Sequence, residues 1–202
     1  TSGNLSDEPI AFDDADAIER LDPMIDAMLA HDRPIATRCD DSVMFVPRDR
    51  PAFVRRSRGF APRPIASDVR FPSHILAVGG HLKNTFCLAR DTSAFLSHHI
   101  GDLDNPLSFG SLADGIRHYS ALVGVEAEVV AHDLHPGYMS TRLAEDLGIE
   151  RRVAVQHHHA HAASCMAENG LTGPVIAVVF DGAGLGADGA VWGGEFLLIE
   201  AA

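Results

Sequence analysis

Short apolar segments separated by turn residues dominate the middle of the chain. Three of them have the length of β-strands, and the intervening turns predict an antiparallel meander over residues 74–79, 85–90 and 94–99. Apolar residues then recur at helical spacing and stop at Gly124, which predicts an amphipathic helix with Ser111 as its N-cap. A three-stranded meander followed by a helix is therefore expected.

Strand-like and helix-like patterns alternate after Gly124. The strand-like segments lie at residues 128–133 and 153–156, and the helix-like segments lie at residues 139–148 and 157–169, the second ending before Gly170. The complete order, β-β-β-α-β-α-β-α, is that of an RNase H-like (actin/sugar-kinase-like) lobe, in which crossovers add parallel strands. We predict this α/β fold for residues 73–174.

The two ends of the chain are predicted to belong to structural units other than this lobe. Near the start, a helix-like segment (15–31, interrupted by Pro23) and strand-like segments (42–46 and 52–58) are too few to bury a core, so we expect residues 1–58 to be the tail of a larger α/β domain. Three prolines predict a linker over residues 59–72. A strand over residues 175–182 and a hairpin-like segment after it predict the start of a truncated second lobe at residues 175–202.

Composition excludes several classes of protein. The 202-residue chain is 46% hydrophobic and carries a formal net charge of −12, which argues against nucleic-acid binding. It has no long apolar run and no signal-like start, so we expect a cytoplasmic protein without a membrane partner. The three cysteines, Cys39, Cys87 and Cys165, have no CxxC spacing and are expected to be buried reduced thiols. The twelve histidines suggest metal or acid–base chemistry.

Four histidines lie in the segment QHHHAHAASCMAENG (156–170). On a helix, His157 and His161 share one face and can bind one divalent ion. Asp181, directly after an apolar strand, is the best candidate for a third ligand, and this donor set suits Zn²⁺ or Fe²⁺. His158 and His159 point elsewhere, where stacking on substrate, donation to phosphate and a structural role are all open. The alternative for the whole cluster is a fortuitous surface patch.

Two glycine-rich turns are candidates for holding phosphate. In GGHLKNT (79–85), glycine allows close approach of backbone N–H groups, and Lys83, Asn84 and Thr85 add a charge and polar donors, although ordinary hairpins carry such residues too. In DGAGLGADG (181–189), which includes Gly182, a strand follows instead of a helix, so a dinucleotide fingerprint is excluded and a second phosphate-facing turn fits better.

A third segment, HDLHPGY (132–138), follows a strand and so faces the same edge of the sheet. Its histidines, His132 and His135, are candidate ligands. Substrate contact or hydrogen bonds that shape the loop are favoured for both, because the helical pair offers better preorganised geometry.

Five ordered motifs together resemble one family. RRSRGFAPRPI, LKNTFCLA, HDLHPGYMSTRLA, QHHHAHAASCMAENGL and FDGAGLGADGAVWGGEF are similar to segments of the hydrogenase-maturation carbamoyltransferase family, HypF, and cover most of residues 55–196. The start, TSGNLSDEPI, resembles the SxN motif of YrdC-like carbamoyl-adenylate-forming domains, matched by Ser2 and Asn4.

This resemblance implies a function. A YrdC-like domain would combine ATP with carbamate, released from carbamoyl phosphate, to give carbamoyl-adenylate. The actin/sugar-kinase-like domain would then transfer the carbamoyl group to the C-terminal cysteine of a partner maturation protein, in the synthesis of a cyanide ligand for [NiFe]-hydrogenase. By position, His157, His161 and Asp181 match the family's metal ligands, and Lys83 and Asn84 lie in the phosphate-side hairpin.

Parts of the family's pattern are missing from this sequence. The acylphosphatase domain, the zinc-finger region, the first part of the YrdC-like domain and most of the second lobe are absent, so we expect these 202 residues to be inactive alone. No catalytic residue is assigned. A natural-product O-carbamoyltransferase with a hydroxyl acceptor and a non-catalytic metal- or nucleotide-binding module remain the alternatives.

Overall fold

A six-stranded mixed sheet forms the centre of the structure, a computed structural model that describes residues 3–6 and 8–200. The strands, in their order across the sheet, are β3 (Ile65–Ala66), β6 (Ser93–Leu96), β5 (Cys87–Arg90), β4 (Ile75–Ala77), β7 (Val129–Asp133) and β8 (Arg151–Val155). Strands β4, β7 and β8 are parallel, whereas β5, β6 and β3 continue the sheet through antiparallel pairs. The predicted meander is confirmed as β4–β5–β6.

Strand β3 is a feature that the sequence pattern does not predict. Its two residues lie inside the proline-rich segment 59–72, and they pair with Ala94 and Ser93 of β6. A two-residue strand is too short to produce a recognisable alternation of apolar and polar positions. Part of the expected linker is therefore an edge strand of the sheet.

Three helices connect and follow the strands: α2 (Pro106–Val123), α3 (Met139–Asp146) and α4 (His157–Asn169). The order β4-β5-β6-α2-β7-α3-β8-α4 confirms the predicted RNase H-like lobe. Helices α2 and α3 pack on the sheet around one apolar core. Its buried members are Leu76, Val78, Phe86, Leu88, Ile100, Leu103, Leu112, Ile116, Tyr119, Val125, Val130, Leu143 and Ala144.

The N-terminus of α2 corrects the sequence prediction. The helix begins at Pro106, and its N-cap is Asn105, not Ser111 as predicted. The Asn105 side chain accepts a hydrogen bond from the Leu107 N–H. Proline is well suited to the first helical position because its fixed φ is helical and its missing N–H would have had no partner there. The predicted end is confirmed, with Gly124 in the left-handed conformation.

Smaller differences concern the elements next to α4. Helix α3 ends at Asp146, before the expected residue 148, and β8 begins at Arg151, before the expected residue 153. Gln156 is not the last residue of the strand but the N-cap of α4, and its side chain accepts a hydrogen bond from the His159 N–H. The end of α4 at left-handed Gly170 is as predicted.

The N-terminal segment contains less helix than its sequence suggests. Helix α1 (Asp14–Leu21) passes into a 3₁₀ turn (Asp22–Met24), and the predicted helix up to residue 31 does not form. Pro23 lies in that turn, where it has no N–H to continue the hydrogen bonds of the helix. Further on, β1 (Val43–Phe45), a 3₁₀ turn (Pro47–Asp49) and β2 (Ala52–Arg55) form a separate two-stranded sheet.

The final residues form a long antiparallel hairpin, β9 (Val175–Leu185) with β10 (Val191–Ile199). One face packs on α4, where Ala162, Val179 and Ile199 are buried together. The opposite face is exposed and includes Ile176, Phe180, Phe196 and Leu198. Strand β9 is longer than predicted, so Asp181 lies inside the strand and not at its end.

Within residues 3–6 and 8–200, no helix combines the length and the hydropathy needed to cross a lipid bilayer.

Candidate functional site

A cleft of about 890 Å³ lies between the central sheet and the hairpin β9–β10. Its walls come from four places: the loop 79–85 after β4, the end of β7, the first turns of α4, and residues 181–183 of β9. Parallel strands β4, β7 and β8 all end at this edge, which is where open α/β sheets bind ligands. The four segments that the sequence marked as candidates, 79–85, 132–138, 156–170 and 181–189, therefore meet at one cleft.

His157 and His161 face each other across one turn of α4. Their Nε2 atoms are 3.2 Å apart, and their ring planes meet at 80°. The N-cap at Gln156 fixes the start of the helix, so His157 lies in its first turn at the edge of the sheet. His161 is the more exposed ring.

Asp181 completes this group from the neighbouring strand. Its Oδ2 atom is 3.1 Å from Nε2 of His157 and 3.9 Å from Nε2 of His161. The same oxygen is buried and accepts no hydrogen bond from the described residues. One ligand atom from each of these residues lies within 4.8 Å of the other two, which is the size of a site for a single ion.

Asp133, at the end of β7, contacts the other side of the His157 ring. Its Oδ2 atom is 2.5 Å from Nδ1 of His157, and its Oδ1 atom accepts a hydrogen bond of 2.8 Å from the His135 N–H. Burial raises the pKa of Asp133, but these hydrogen bonds outweigh burial and hold that pKa below its usual value.

The two facing histidines have opposite pKa shifts. The hydrogen bond to Asp133 raises the pKa of His157, against the effect of burial. Burial, and then the nearby charge of His157, lowers the pKa of His161. His161 is therefore the ring that more readily presents a free lone pair to the cleft.

Tyr138 lies in a stack of three rings at the wall of the cleft. It is parallel to His135 at 4.3 Å between ring centroids and to His81 at 5.2 Å. Burial, followed by the negative charges of Asp133 and Asp181, raises the pKa of Tyr138. The phenol therefore stays protonated near neutral pH and can donate a hydrogen bond into the cleft.

His81, His132 and His135 make polar contacts within the loops that carry them or with neighbouring segments. His81 Nε2 is 3.0 Å from Asp104 Oδ1, and its Nδ1 accepts a hydrogen bond from the Met139 N–H. His135 Nδ1 accepts from the Gly137 N–H at 3.0 Å, and His132 Nδ1 is 2.8 Å from the Asp133 carbonyl oxygen. The loop-shaping interpretation of His132 and His135 agrees with these contacts.

His158 and His159 differ in their surroundings. His158 is completely buried, with Nε2 at 2.7 Å from the Gly193 carbonyl oxygen and Nδ1 at 3.1 Å from Gln156 Nε2. It therefore ties α4 to the hairpin β9–β10, a structural role. His159 is exposed on the other face of α4.

Some of the residues predicted to hold the nucleotide line the cleft, and others do not. Lys83, Thr85 and Gly182 line the cleft, and the Lys83 N–H donates to Asp102 Oδ1 at 2.6 Å. Asn84 is buried, and its amide donates to the carbonyl oxygens of residues 78 and 80, so it shapes the loop and does not present its N–H groups to the cleft.

The remaining two nucleotide candidates lie in the N-terminal segment. Asn4 is exposed, and its side chain donates to the carbonyl oxygens of Leu5 and Glu8. It is not among the described residues that line the cleft. Ser2 lies outside the described residues.

Sequence patterns alone did not identify Asp133, Tyr138 and His81 as members of the site. Asp133 carried a usable signal, because it is an acidic residue at the carboxyl end of a buried parallel strand, which is the same signal that identified Asp181. The ring stack had no such signal, since it depends on the distance between two loops.

Comparison with known proteins gives a family for this arrangement. A family model described as the HypF Kae1-like domain matches residues 71–168, and one described as the second subdomain of the Kae1-like carbamoyltransferase domain matches residues 177–202. A curated HypF2 carbamoyltransferase from Cupriavidus necator is 45% identical over 206 residues, covering 99% of this chain and 25% of the relative. The chain belongs to the HypF carbamoyltransferase family.

Solved HypF structures agree with this family in fold. A crystal structure of full-length HypF in a phosphate- and nucleotide-bound form has a TM-score of 0.93 and 48% identity, covering 99% of this chain and 32% of that one. HypF from T. kodakarensis has a TM-score of 0.89 and 38% identity, covering 99% and 27%. A third family model, described as telomere recombination, matches residues 1–57. The chain spans about a quarter to a third of these HypF proteins.

Proposed function

We propose that His157, His161 and Asp181 bind one divalent cation, Zn²⁺ or Fe²⁺. The observation that carries the proposal is the buried Oδ2 atom of Asp181, which faces two imidazole nitrogens and accepts no hydrogen bond from the described residues. A buried carboxylate oxygen without a partner is costly, and a cation shared with both rings would remove that cost. Two nitrogens and one oxygen form a donor set that suits either metal.

We further propose that the cleft takes part in HypF-type carbamoyl transfer, with carbamoyl-adenylate as the donor. The relatives are named carbamoyltransferases, and one of their structures was solved with phosphate and a nucleotide. ATP and carbamoyl phosphate would be the small substrates. The acceptor would be the C-terminal cysteine of a hydrogenase-maturation partner protein.

In this proposal residues 1–58 belong to a YrdC-like unit, 59–72 to a linker, and 73–174 and 175–202 to two lobes around the cleft.

The residues of the cleft fit this reaction by position and charge. Lys83 and the backbone of the loop 79–85 lie on one wall, where they can hold a phosphate. The protonated phenol of Tyr138 can donate a hydrogen bond to an oxygen of the substrate. When bound, the cation would supply Lewis acidity toward a carbonyl or phosphate oxygen. Transfer from a mixed anhydride needs mainly such positioning and charge stabilisation.

An assay of the complete gene product tests this proposal. The measurement is ATP- and carbamoyl-phosphate-dependent labelling of the terminal cysteine of the partner protein. We expect His157→Ala and His161→Ala to lower the rate of labelling by about 100-fold or more, as for loss of a group that stabilises developing charge. His159→Ala, which alters an exposed ring on the same helix, should keep the wild-type rate. Wild-type labelling by both ligand variants would contradict the proposal.

A further inference from the structure

We propose that Asp133 is a positioning residue that fixes the orientation and the tautomer of His157. Asp133 accepts a hydrogen bond from Nδ1–H of His157. The Nε2 lone pair of that ring is then free and directed at Asp181 and His161. This inference rests on the proposed metal function of the cleft. It concerns a residue to which neither the family motifs nor the histidine pattern gives a role.

The contact between Asp133 and His157 is set by the sheet. Strands β7 and β8 pair in parallel with Asp133 opposite Val155, and His157 follows Val155 by two residues at the first position of α4. The carboxylate and the ring therefore meet wherever this strand register is kept. Oδ2 lies 2.5 Å from Nδ1, and a hydrogen bond that an ionised carboxylate accepts is charge-assisted and strong.

The carboxylate of Asp133 is itself held in place. Only 6% of its side chain is exposed, and its second oxygen accepts the His135 N–H at 2.8 Å. The backbone on which it stands is fixed by Thr141 of α3, whose hydroxyl donates to the Asp133 carbonyl oxygen. Rotation of the carboxylate would break one of its two hydrogen bonds in a buried place, which is unfavourable.

A neutral imidazole carries one hydrogen, and the partner of one nitrogen determines which nitrogen is free to bind a metal. With Nδ1–H donated to Asp133, the free nitrogen is Nε2, which is the atom 3.1 Å from Asp181 and 3.2 Å from His161. Without that acceptor, the ring could rotate or carry its hydrogen on Nε2. Either change would remove a ligand from the cation site.

Asp133 is placed to act through His157 and not as a ligand. It contacts the Nδ1 edge of the ring, whereas the cation site lies at the Nε2 edge. Among the described residues, the group whose ligand atoms can gather around one ion contains His157, His161 and Asp181 without Asp133. Partners of this kind behind a metal-binding histidine are worth about 10- to 100-fold in metal affinity.

The test combines two measurements on this chain and its variants Asp133→Ala and Asp133→Asn. The first is the Co²⁺ dissociation constant from the visible absorption of the bound ion. We expect Asp133→Ala to weaken binding by about 10- to 100-fold, and Asp133→Asn to weaken it less, because the amide oxygen can still accept from Nδ1–H. The matched control is Asp104→Asn, which alters a second Asp–His pair at the same cleft, with His81, and should leave the affinity unchanged.

The second measurement is ¹⁵N NMR of the His157 ring in the metal-free chain at about pH 9, where imidazoles are neutral. Wild type should show the Nδ1–H tautomer, and Asp133→Ala should shift it toward Nε2–H. If Asp133→Ala does not fold, Asp133→Val, which also lacks an acceptor and suits a strand, reports both quantities. Unchanged tautomer and unchanged affinity in a folded variant without the acceptor would overturn the inference. Wild type that shows the Nδ1–H tautomer but binds no Co²⁺ would refute the metal site and leave the positioning role of Asp133 standing.

Discussion

The Nε2 atoms of His157 and His161 lie 3.2 Å apart, on one turn of a helix whose start is fixed by Gln156. At this distance two neutral rings either share one hydrogen or direct two lone pairs at the same point. The buried Oδ2 atom of Asp181, which accepts no hydrogen bond from the described residues, faces that point as well. A cation or an additional proton is therefore needed to make the arrangement favourable.

His158 should be required for the stability of the contact between α4 and the hairpin. Replacing it with alanine removes a buried ring and leaves the Gly193 carbonyl oxygen without its hydrogen-bond donor. We expect His158→Ala to lower the free energy of unfolding by about 2–4 kcal/mol. Urea denaturation measures this change.

His159→Ala is the matched control, because His159 is exposed one position further along the same helix. Its effect should stay within about 0.5 kcal/mol. Equal effects of the two substitutions would contradict the structural role of His158.

Acid should destabilise the fold through His98. Burial, and then the positive charge of Arg38, lowers the pKa of His98 from 6.5 to about 4. Between these two values the unfolded chain binds a proton that the folded chain excludes, so stability falls as the pH decreases through this range. At 1.36 kcal/mol for each pH unit, the loss for this one group is about 3 kcal/mol.

Urea denaturation at several pH values, with His98→Gln as the comparison, isolates this contribution. The wild-type free energy of unfolding should decrease more steeply below pH 6.5 than that of His98→Gln. His98 also contacts the Tyr119 hydroxyl, so the substitution lowers stability at every pH, and the slope is the quantity to compare. Parallel slopes would show that His98 is not buried in its neutral form.

Gly79 should not tolerate a side chain. Its φ of +75° lies in the left-handed region, and a Cβ atom there would be 2.0 Å from the Thr85 carbonyl oxygen. We expect Gly79→Ala to lower the free energy of unfolding by about 1–3 kcal/mol and to displace the loop 79–85. Thermal unfolding measures the change in stability.

Gly110 provides the opposite case. It lies inside α2 with ordinary helical geometry, and the space that a methyl group would occupy is open. Gly110→Ala should therefore raise stability by about 0.5–1 kcal/mol. A stabilising effect of Gly79→Ala would mean that the loop does not have the described conformation.

The pattern of the sequence was sufficient for much of the fold. The strands and helices of residues 74–169 were predictable because each buries one apolar face and ends at a recognisable residue, such as Gly124 or Gly170. Asn105 was a missed N-cap, since the apolar pattern of α2 becomes regular only later in the helix. Strand β3 was missed because two residues cannot show a period.

The candidate site was predictable only in part. His157 and His161 are related by helical spacing, and Asp181 by its place after an apolar run, so local pattern was enough to group them. The contact of Asp133 with His157 depends on the register of β7 against β8, which no local pattern specifies. The inward position of His158 was likewise set by the hairpin that covers it.

The cation site can be tested most directly by equilibrium dialysis of this chain against Zn²⁺ and, separately, against Fe²⁺, with metal and protein measured in each compartment. Wild type should bind one ion tightly, and His157→Ala, His161→Ala and Asp181→Ala should each lose it, whereas His159→Ala should keep it. Retention of the tightly bound ion by the three ligand variants, or its absence from wild type for both Zn²⁺ and Fe²⁺, would contradict the proposed metal site.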